Sequence, residues 1–235
     1  MLTDHLLPLL KQLNIELSED KLQKLELYWN KVKNAPLNLT SISDDADAAL
    51  LHFADSLAPL AYDLLPEGAS IIDVGTGGGF PSVPLAVARE DLNVLALDST
   101  RKKLTFIQEN APVENLQILH ARAEEAGRSE LRESFDIACA RAVAPLSVVM
   151  EYLAPFVKVG GLVIAYKAEP DEEELAAGQF AAKQLGLTKK QIIPFKLSGS
   201  QKISRILAVY EKTSTTPAKY PRNQARQKPL GMKKK

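Results

Sequence analysis

A dense run of glycines most constrains how this chain folds, because four of the five residues from Gly75 to Gly79 are glycine. An apolar segment ends at Asp73 and Val74 just before the run, and Pro81 follows it at a position suited to the first turn of a helix. Glycine permits positive φ angles and lets a ligand approach the backbone without a Cβ in the way. Ligands of open α/β sheets bind at such strand-to-helix turns, so the sequence favours a ligand site here over a tight connection without a ligand.

Short segments rich in Val, Ile and Leu alternate with amphipathic segments from residue 70 onwards. This alternation is typical of a buried, largely parallel sheet with crossover helices. The last two apolar segments have no helical pattern between them, so they are expected to pair antiparallel at an edge. The sequence therefore predicts an α/β, Rossmann-like sheet in a main domain over residues 66–212.

The N-terminal part of the chain has a helical pattern instead. Leucines recur at helical spacing in the first thirteen residues, and Ser18 is placed to cap a second helix. A third helical pattern runs from about Asp45 to Leu65 and is ended by Pro66 and the residues after it. We therefore expect an N-terminal helical extension over residues 1–65, ahead of the sheet.

The charge of the chain is unevenly distributed although its net charge is zero. Residues 212–235 contain eight basic side chains and no acidic one, which leaves 21 basic and 29 acidic side chains, a formal charge of −8, in residues 1–211. A basic tail over residues 213–235, beginning just after Lys212, indicates contact with a polyanion. The alternative is a solvated, disordered terminus.

Composition excludes several classes of protein. The single cysteine, Cys139, excludes a disulfide framework and a cysteine-based metal site. No apolar run approaches the length of about 18–20 residues that a membrane span needs. The N-terminus has neither a basic start nor a small-residue cleavage site, unlike a signal peptide. We expect a cytoplasmic monomer without a metal and without membrane contact.

The residues around the glycine run narrow the choice of ligand. A dinucleotide fingerprint needs glycine at the sixth position after Gly75, where this chain has Phe80, and the Gly-Lys-Ser/Thr of a phosphate-binding loop is absent. Asp73 would repel a pyrophosphate but would suit a ligand with a sulfonium and an ammonium group. S-adenosylmethionine is such a ligand, so the loop favours it over NAD.

A second acid follows the next predicted strand. Asp98 lies 23 residues after Gly75, near the offset of about 20 residues expected for an acid that binds ribose hydroxyls, and Ser99 and Thr100 come directly after it. Ribose binding is common to NAD and S-adenosylmethionine, so Asp98 does not separate the two. The alternative role for Asp98 is that of an N-cap for the following helix.

These motifs resemble the class I S-adenosylmethionine-dependent methyltransferases. The chain is similar in particular to the family of ribosomal RNA small subunit methyltransferase G, also called glucose-inhibited division protein B. The similarity covers roughly residue 20 to the end and is specific because many segments share it in the same order. These segments are Asn38–Ile42, His52–Leu60, Asp73–Ala86, Leu95–Glu109, Ala121–Glu125, Phe135–Leu146 and Tyr220–Arg222.

The resemblance implies a reaction, a partner and a set of residues. It implies methylation of guanine N7 at position 527, in the 530-loop of 16S ribosomal RNA within the small subunit or its precursor, with S-adenosylmethionine as methyl donor. It places Arg141 between cofactor and substrate and Arg122 near the site as a second catalytic candidate. Lys102, Lys103 and the tail from Lys219 to Lys235 are candidates for binding RNA phosphates. The cofactor-binding residues that it implies are Asp73, Gly75, Gly77, Phe80, Asp98, Ser99, Thr100, Ala123, Glu124 and Arg141.

The chemistry of guanine agrees with this set. N7 carries a lone pair at neutral pH, so no general base is required and catalysis can consist mostly of orientation. Arg141 would then bind guanine O6, a phosphate or the cofactor carboxylate, or alternatively pair with Asp73 or Asp98. Cys139 is expected to be a core residue without a catalytic role. His52 and Asp55 are expected to make structural hydrogen bonds.

Three other functions remain open from the sequence. An NAD-dependent oxidoreductase is disfavoured by Phe80 and Asp73. A methyltransferase acting on another RNA, a protein or a small molecule remains possible because fold does not determine substrate. The sequence after the fourth strand, Ala140–Pro145, lacks the Asn/Asp-Pro-Pro-aromatic motif of amide and amino methyltransferases. A non-catalytic RNA-binding or assembly factor is the third alternative.

Overall fold

A computed structural model describes residues 1–141, 144–223 and 228–231. Nine α-helices and seven β-strands are present in these ranges. The strands are β1 Ser70–Val74, β2 Asn93–Asp98, β3 Leu116–His120, β4 Phe135–Arg141, β5 Val157–Lys167, β6 Leu187–Ser198 and β7 Lys202–Lys212. The helices are α1 Leu2–Gln12, α2 Glu19–Lys33, α3 Asp45–Ala48, α4 Asp55–Leu57, α5 Ser82–Ala88, α6 Arg101–Asn110, α7 Ala123–Ala126, α8 Leu146–Leu153 and α9 Glu172–Gln184.

The strands form one seven-stranded sheet in the order β3-β2-β1-β4-β5-β7-β6. The pairs β2–β3, β1–β4 and β4–β5 are parallel, and β5–β7 is antiparallel. The predicted α/β sheet is therefore confirmed, and the last two strands are neighbours at its edge as expected. The described residues divide into two compact units, each made of several chain segments.

The first unit comprises residues 1–69, 76–120 and 196–203. Helix α1 buries the leucines that the sequence pattern indicated, and α2 begins after Ser18, whose side chain accepts a hydrogen bond from the backbone N–H of Lys21 at 3.4 Å. Trp29 of α2 is fully buried, and its indole N–H donates to Asp45 at 2.8 Å. This bond fixes α2 against the start of the third helical segment.

That third helical segment differs from the regular helix predicted over residues 45–65. Helix α3 passes into a π-helical turn over Ala49–Ala54, then into α4 and a 3-10 turn over Ala58–Tyr62. The segment ends at Asp63, whose φ of 50° lies in the left-handed region, three residues before Pro66. Apolar spacing alone does not distinguish an α turn from a π turn, because both leave one face of the segment buried.

The second unit comprises residues 70–75, 121–195 and 204–235, of which 142–143, 224–227 and 232–235 lie outside the described residues. Its strand β7 ends at Lys212, which is fully buried. The Lys212 amine donates to the carbonyl oxygens of Ala154 and Val157 at 2.6 and 3.1 Å and lies 3.1 Å from the Glu133 carboxylate. Burial lowers the pKa of Lys212, and Glu133 opposes this shift. Lys212 is therefore part of the folded core, as its place within the predicted domain of residues 66–212 implies, and not part of the basic tail that follows it.

Arg222 also has a structural role in the second unit. Its Nε and Nη2 donate to the two carboxylate oxygens of Glu151 at 2.8 and 2.7 Å, and its backbone N–H donates to Glu151 Oε1 at 2.7 Å. Glu151 is fully buried on α8, so this bidentate pair neutralises a charge that solvent does not reach. Arg222 thus has a structural role in addition to its expected contact with RNA phosphates, which stays a prediction.

Among the described residues, no helix combines the length and the apolar character needed to cross a lipid bilayer.

We expect Arg222→Ala to lower the free energy of unfolding by about 3 kcal/mol, because it leaves the buried Glu151 carboxylate without its cationic partner. Urea denaturation measures this change. Lys219→Ala is the matched control, since Lys219 is exposed and its loss is expected to cost less than about 0.5 kcal/mol. Adding Glu151→Leu to Arg222→Ala should recover most of the stability. Equal effects of Arg222→Ala and Lys219→Ala would contradict this role of the ion pair.

Candidate functional site

The glycine run forms a tight turn that leads from β1 towards α5. The φ angles of Gly75, Gly77 and Gly79 are 82°, 59° and 86°, all in the region that favours glycine. Within the first unit, the N–H of Thr76 donates to the Leu97 carbonyl of β2 at 3.1 Å, and the Thr76 carbonyl accepts from the N–H groups of Gly79 and Phe80 at 3.0 Å each. The turn is therefore held by its own backbone and by the end of the neighbouring strand.

Asp98, the last residue of β2, connects this turn to the start of α6. Its Oδ2 accepts from the N–H of Gly77 at 3.0 Å, and its Oδ1 accepts from the N–H of Thr100 at 2.8 Å. Helix α6 has Thr100 as its N-cap residue, so Asp98 is not the N-cap that the alternative interpretation required. A carboxylate oxygen can accept two hydrogen bonds, so each oxygen of Asp98 retains capacity for a ligand hydroxyl.

Helix α2 supports the outer side of the glycine turn. The hydroxyl of Tyr28 donates to the carbonyl oxygen of Gly78 at 2.9 Å, and burial raises the pKa of this hydroxyl. A Cβ at Gly79 would overlap the Tyr28 hydroxyl and would lie 2.8 Å from Cγ2 of Val83. A Cβ at Gly78 would lie 3.1 Å from the carbonyl oxygen of Leu39. Close approach of neighbouring groups therefore requires glycine at the end of the turn.

An aromatic cluster contacts the residue that follows the glycines. The ring of Phe80 stacks on the imidazole of His52 with a centroid distance of 4.4 Å and an interplanar angle of 11°. The Nε2 of His52 lies 2.7 Å from the hydroxyl of Thr40, and Phe53 packs edge-on against Phe80 at 5.3 Å. The hydrogen bond between His52 and Thr40 agrees with the structural role expected for this histidine, whereas the sequence did not predict its stacking on Phe80. The available signal was its place in a family-like block, and the structure puts it in the π-helical turn, a feature often found at functional sites.

The second unit holds the remaining predicted site residues. Asp73 is fully buried on β1, in register with Cys139 on β4, and Arg141 is the last residue of β4. Burial and the Asp73 carboxylate raise the pKa of the Cys139 thiol well above its usual value, which agrees with a core role for this cysteine. Arg122 is the N-cap residue of the four-residue helix α7.

The predicted cofactor-binding residues include two groups whose members lie close together, one group in each unit. Hydrogen bonds join Gly77, Asp98 and Thr100 in the first unit, with Ser99 exposed between the last two. In the second unit, Ala123 and Glu124 form the first turn of α7, directly after Arg122.

The predicted RNA-binding cations lie in both units. Lys102 is exposed and Lys103 partly exposed in the first turn of α6, and Lys219 is exposed in the second unit. The remaining tail candidates that lie outside the described residues are Arg226, Lys233, Lys234 and Lys235.

Comparison of the sequence with known families gives a match over residues 21–204 to the family described as rRNA small subunit methyltransferase G. A protein of Leuconostoc citreum named ribosomal RNA small subunit methyltransferase G is 40% identical, covering 91% of this chain and 92% of the relative. A Clostridium perfringens protein of the same name is 39% identical over 88% of this chain and 89% of the relative.

Solved structures resemble the fold at low sequence identity. A Bacillus halodurans protein provisionally assigned as a methyltransferase superposes with a TM-score of 0.54 at 14% identity, covering 68% of this chain and all of the other. A variant of the 16S rRNA (adenine(1408)-N(1))-methyltransferase from Catenulisporales acidiphilia superposes with a TM-score of 0.52 at 14% identity, covering 66% and 87% of the two chains. These likenesses show a class I methyltransferase fold.

We expect Gly79→Ala to destabilise the protein by about 2–4 kcal/mol, since it adds a Cβ at positive φ and overlaps the Tyr28 hydroxyl. Gly77→Ala is the matched control, because its Cβ would meet nothing within 4 Å and only its φ of 59° disfavours a side chain. Its expected cost is about 1 kcal/mol. Chemical denaturation compares the free energies of unfolding of the two variants. Equal losses of stability would show that the close approach of the Tyr28 hydroxyl to Gly79 does not affect stability.

Proposed function

Because the chain belongs to the rRNA small subunit methyltransferase G family, we propose that it methylates N7 of the guanine at position 527 of 16S ribosomal RNA, in the 530-loop, using S-adenosylmethionine. The support for the RNA substrate is the match of the family over residues 21–204 and identity of 40% with a relative of that name over nearly the whole of both chains. The choice of guanine 527 and of its N7 atom follows from what the sequence resemblance implies.

The geometry of Asp98 supports a cofactor that contains ribose, and membership of the methyltransferase family favours S-adenosylmethionine over NAD. The two carboxylate oxygens of Asp98 are oriented by the N–H groups of Gly77 and Thr100, and both keep acceptor capacity for vicinal ribose hydroxyls. When bound, S-adenosylmethionine supplies a methyl group on a positively charged sulfur. The buried carboxylate of Asp73 suits a cofactor that carries positive charge and disfavours a pyrophosphate.

The proposed cofactor-binding set follows from the same motif. The glycine turn provides a backbone surface close to the cofactor, and the residues at the end of β2 and in the first turn of α7 provide contacts for ribose and adenine. The set is Asp73, Gly75, Gly77, Phe80, Asp98, Ser99, Thr100, Ala123, Glu124 and Arg141.

The chain's own task in the reaction is orientation. Guanine N7 attacks the methyl carbon with its lone pair as the carbon–sulfur bond breaks, so no side chain has to remove a proton from N7. We assign Arg141 and Arg122 to hold the guanine O6 or an adjacent phosphate, which places N7 in line with the methyl group. Cys139 takes no part as a nucleophile, because it is buried and its pKa is raised.

The context of the reaction is part of the proposal. The substrate is 16S ribosomal RNA within the small subunit or its precursor, and the protein acts in the cytoplasm as a monomer. We also propose a functional division into the helical extension of residues 1–65, the methyltransferase domain of residues 66–212 and the basic tail of residues 213–235.

Asp98→Asn tests the cofactor site. An amide keeps one acceptor oxygen and loses the charge, and a hydrogen bond to a charged group contributes about 1.5–3 kcal/mol. We therefore expect the dissociation constant for S-adenosylmethionine to rise about 10- to 100-fold in isothermal titration calorimetry. Asp20→Asn, the same exchange at an exposed position of α2, should bind as the wild type does. An unchanged affinity in Asp98→Asn would remove this residue from the site.

Methyl transfer to unmodified small subunits tests the substrate. Labelled S-adenosylmethionine should place label on one guanine of the 530-loop, mapped by strand cleavage specific for 7-methylguanine. Arg141→Ala should reduce kcat/KM about 100-fold through weaker cofactor binding and loss of orientation. Gly75→Asp should abolish transfer, since its φ of 82° disfavours any side chain at this point of the turn. Label on another nucleotide would indicate a different acceptor, and cofactor binding without any label would refute the proposed substrate.

A further inference from the structure

An open groove of about 750 Å³ lies in the first unit, between the C-terminal end of α2, the loop that follows it and α6. This volume is in the range of sites that hold nucleotide-sized ligands. None of the residues lining it belongs to the proposed cofactor-binding set. Its lining includes Lys31, Asn34, Leu37, Lys102, Thr105 and Phe106.

The rim of the groove is positively charged. Lys31, Arg101 and Lys102 are exposed there, and among the residues the structure describes none of the three forms an ion pair. The same helix α2 carries Lys24 and Lys33, which do form ion pairs, with Asp20 and Asp45. Three cations without a carboxylate partner in the described ranges thus line the groove together, where they complement an anionic ligand.

The local backbone adds to this preference. Arg101 and Lys102 lie in the first turn of α6, the end at which the helix dipole favours negative charge. Glu109 is the one acidic residue among those lining the groove in the described ranges. The rim therefore favours a phosphate near the start of α6.

The floor of the groove is apolar and carries amide groups. Phe106 is 8% exposed at the groove, and Ala35 and Leu37 extend the apolar surface. The amide nitrogens of Asn34 and Asn110 donate to backbone carbonyls at 2.8 and 2.9 Å, which orients both side chains. Their Oδ1 atoms can accept from the amino or imino group of a base.

These features together match an unpaired nucleotide better than an acidic peptide. The cationic rim alone would bind the carboxylates of an acidic peptide. The apolar floor and its amide groups can in addition bind a nucleic-acid base, which an acidic peptide does not have. Single-stranded nucleic acids are bound by this combination of cations with aromatic and apolar platforms. Bases of RNA loops are available for such contacts because they can be splayed out of the stack.

The groove is also close to the glycine turn along the chain. Its wall at Ala35–Leu37 continues to Leu39, whose carbonyl oxygen lies beside Gly78. Its other wall, α6, begins at Thr100, which is hydrogen-bonded to Asp98. A ligand in the groove would lie near the residues assigned to the cofactor.

From this arrangement we propose that the groove between α2 and α6 binds an unpaired nucleotide of the RNA substrate that neighbours the methylated guanine. Lys31 and Lys102 contact its phosphates, and the base lies over the apolar floor at Phe106. The identity of the ligand as RNA rests on the proposed function, whereas the groove and its charge do not.

The test uses the full chain and a short single-stranded RNA oligonucleotide labelled with fluorescein. Binding is followed by fluorescence anisotropy over a range of salt concentrations. For Lys31→Ala combined with Lys102→Ala, we expect affinity to fall about tenfold and the salt slope to fall by about 1.4, since each lost phosphate contact of a single strand contributes about 0.7. Affinity for S-adenosylmethionine should be unchanged.

Two further variants separate the groove from general effects of charge and folding. Lys11→Ala combined with Lys196→Ala is the matched control, because both lysines are exposed in the first unit and neither lines the groove. It should keep the wild-type affinity and salt slope. Thr105→Trp fills the groove from an exposed position of α6 without changing charge, and it should also weaken RNA binding.

The outcomes distinguish this inference from the proposed function. Three results would each overturn the groove assignment. The groove variants could bind the RNA as the wild type does, the control variant at Lys11 and Lys196 could lose as much RNA affinity as they do, or the wild type could fail to bind the RNA. Failure of the wild type to methylate small subunits would overturn the proposed reaction. Loss of oligonucleotide binding in the groove variants alone would support the groove under either outcome of that assay.

Discussion

The carboxylate of Asp98 is the interaction on which the ligand-binding part of the first unit depends. It accepts one hydrogen bond from the glycine turn and one from the residue that begins α6. Both donors are backbone N–H groups in turns outside the strands, and a hydrogen bond to a charged group contributes about 1.5–3 kcal/mol. One side chain thus orders two turns before any ligand binds, which reduces the ordering cost of binding.

The N-terminal helices take part in shaping the same turn. Tyr28 of α2 binds the Gly78 carbonyl, and His52 of the π-helical turn stacks on Phe80. These contacts explain why residues 1–69 and 76–120 belong to one compact unit although the sequence indicates an extension followed by a domain. The helical segment supports the turn that the sequence motif identifies, and it also provides one wall of the basic groove.

Basic residues near the C-terminus serve two different purposes. Lys212 pairs with Glu133 and Arg222 pairs with Glu151 in the second unit. Lys212 and Glu151 are fully buried, so in each pair the partner compensates a charge that water does not reach. Lys219 is exposed and lies 5.2 Å from the centre of the Tyr220 ring. The charge composition of the sequence does not separate these roles, because it counts a buried, ion-paired lysine in the same way as a solvent-exposed one.

The sequence by itself determined the α/β class, the order of the strands along the chain, the Ser18 cap and the position of Asp98 after β2. These follow from local patterns of apolar residues, glycines and caps, which operate over a few residues. The sequence did not predict helix α7, because four residues are too few to show a helical periodicity. Only the tertiary structure decided the π turn at His52, the burial of Lys212, the pairing of Arg222 with the buried Glu151, and the groove between α2 and α6. Each of these depends on groups distant in the chain, and their pairing is selected by packing and by the cost of burying an uncompensated charge.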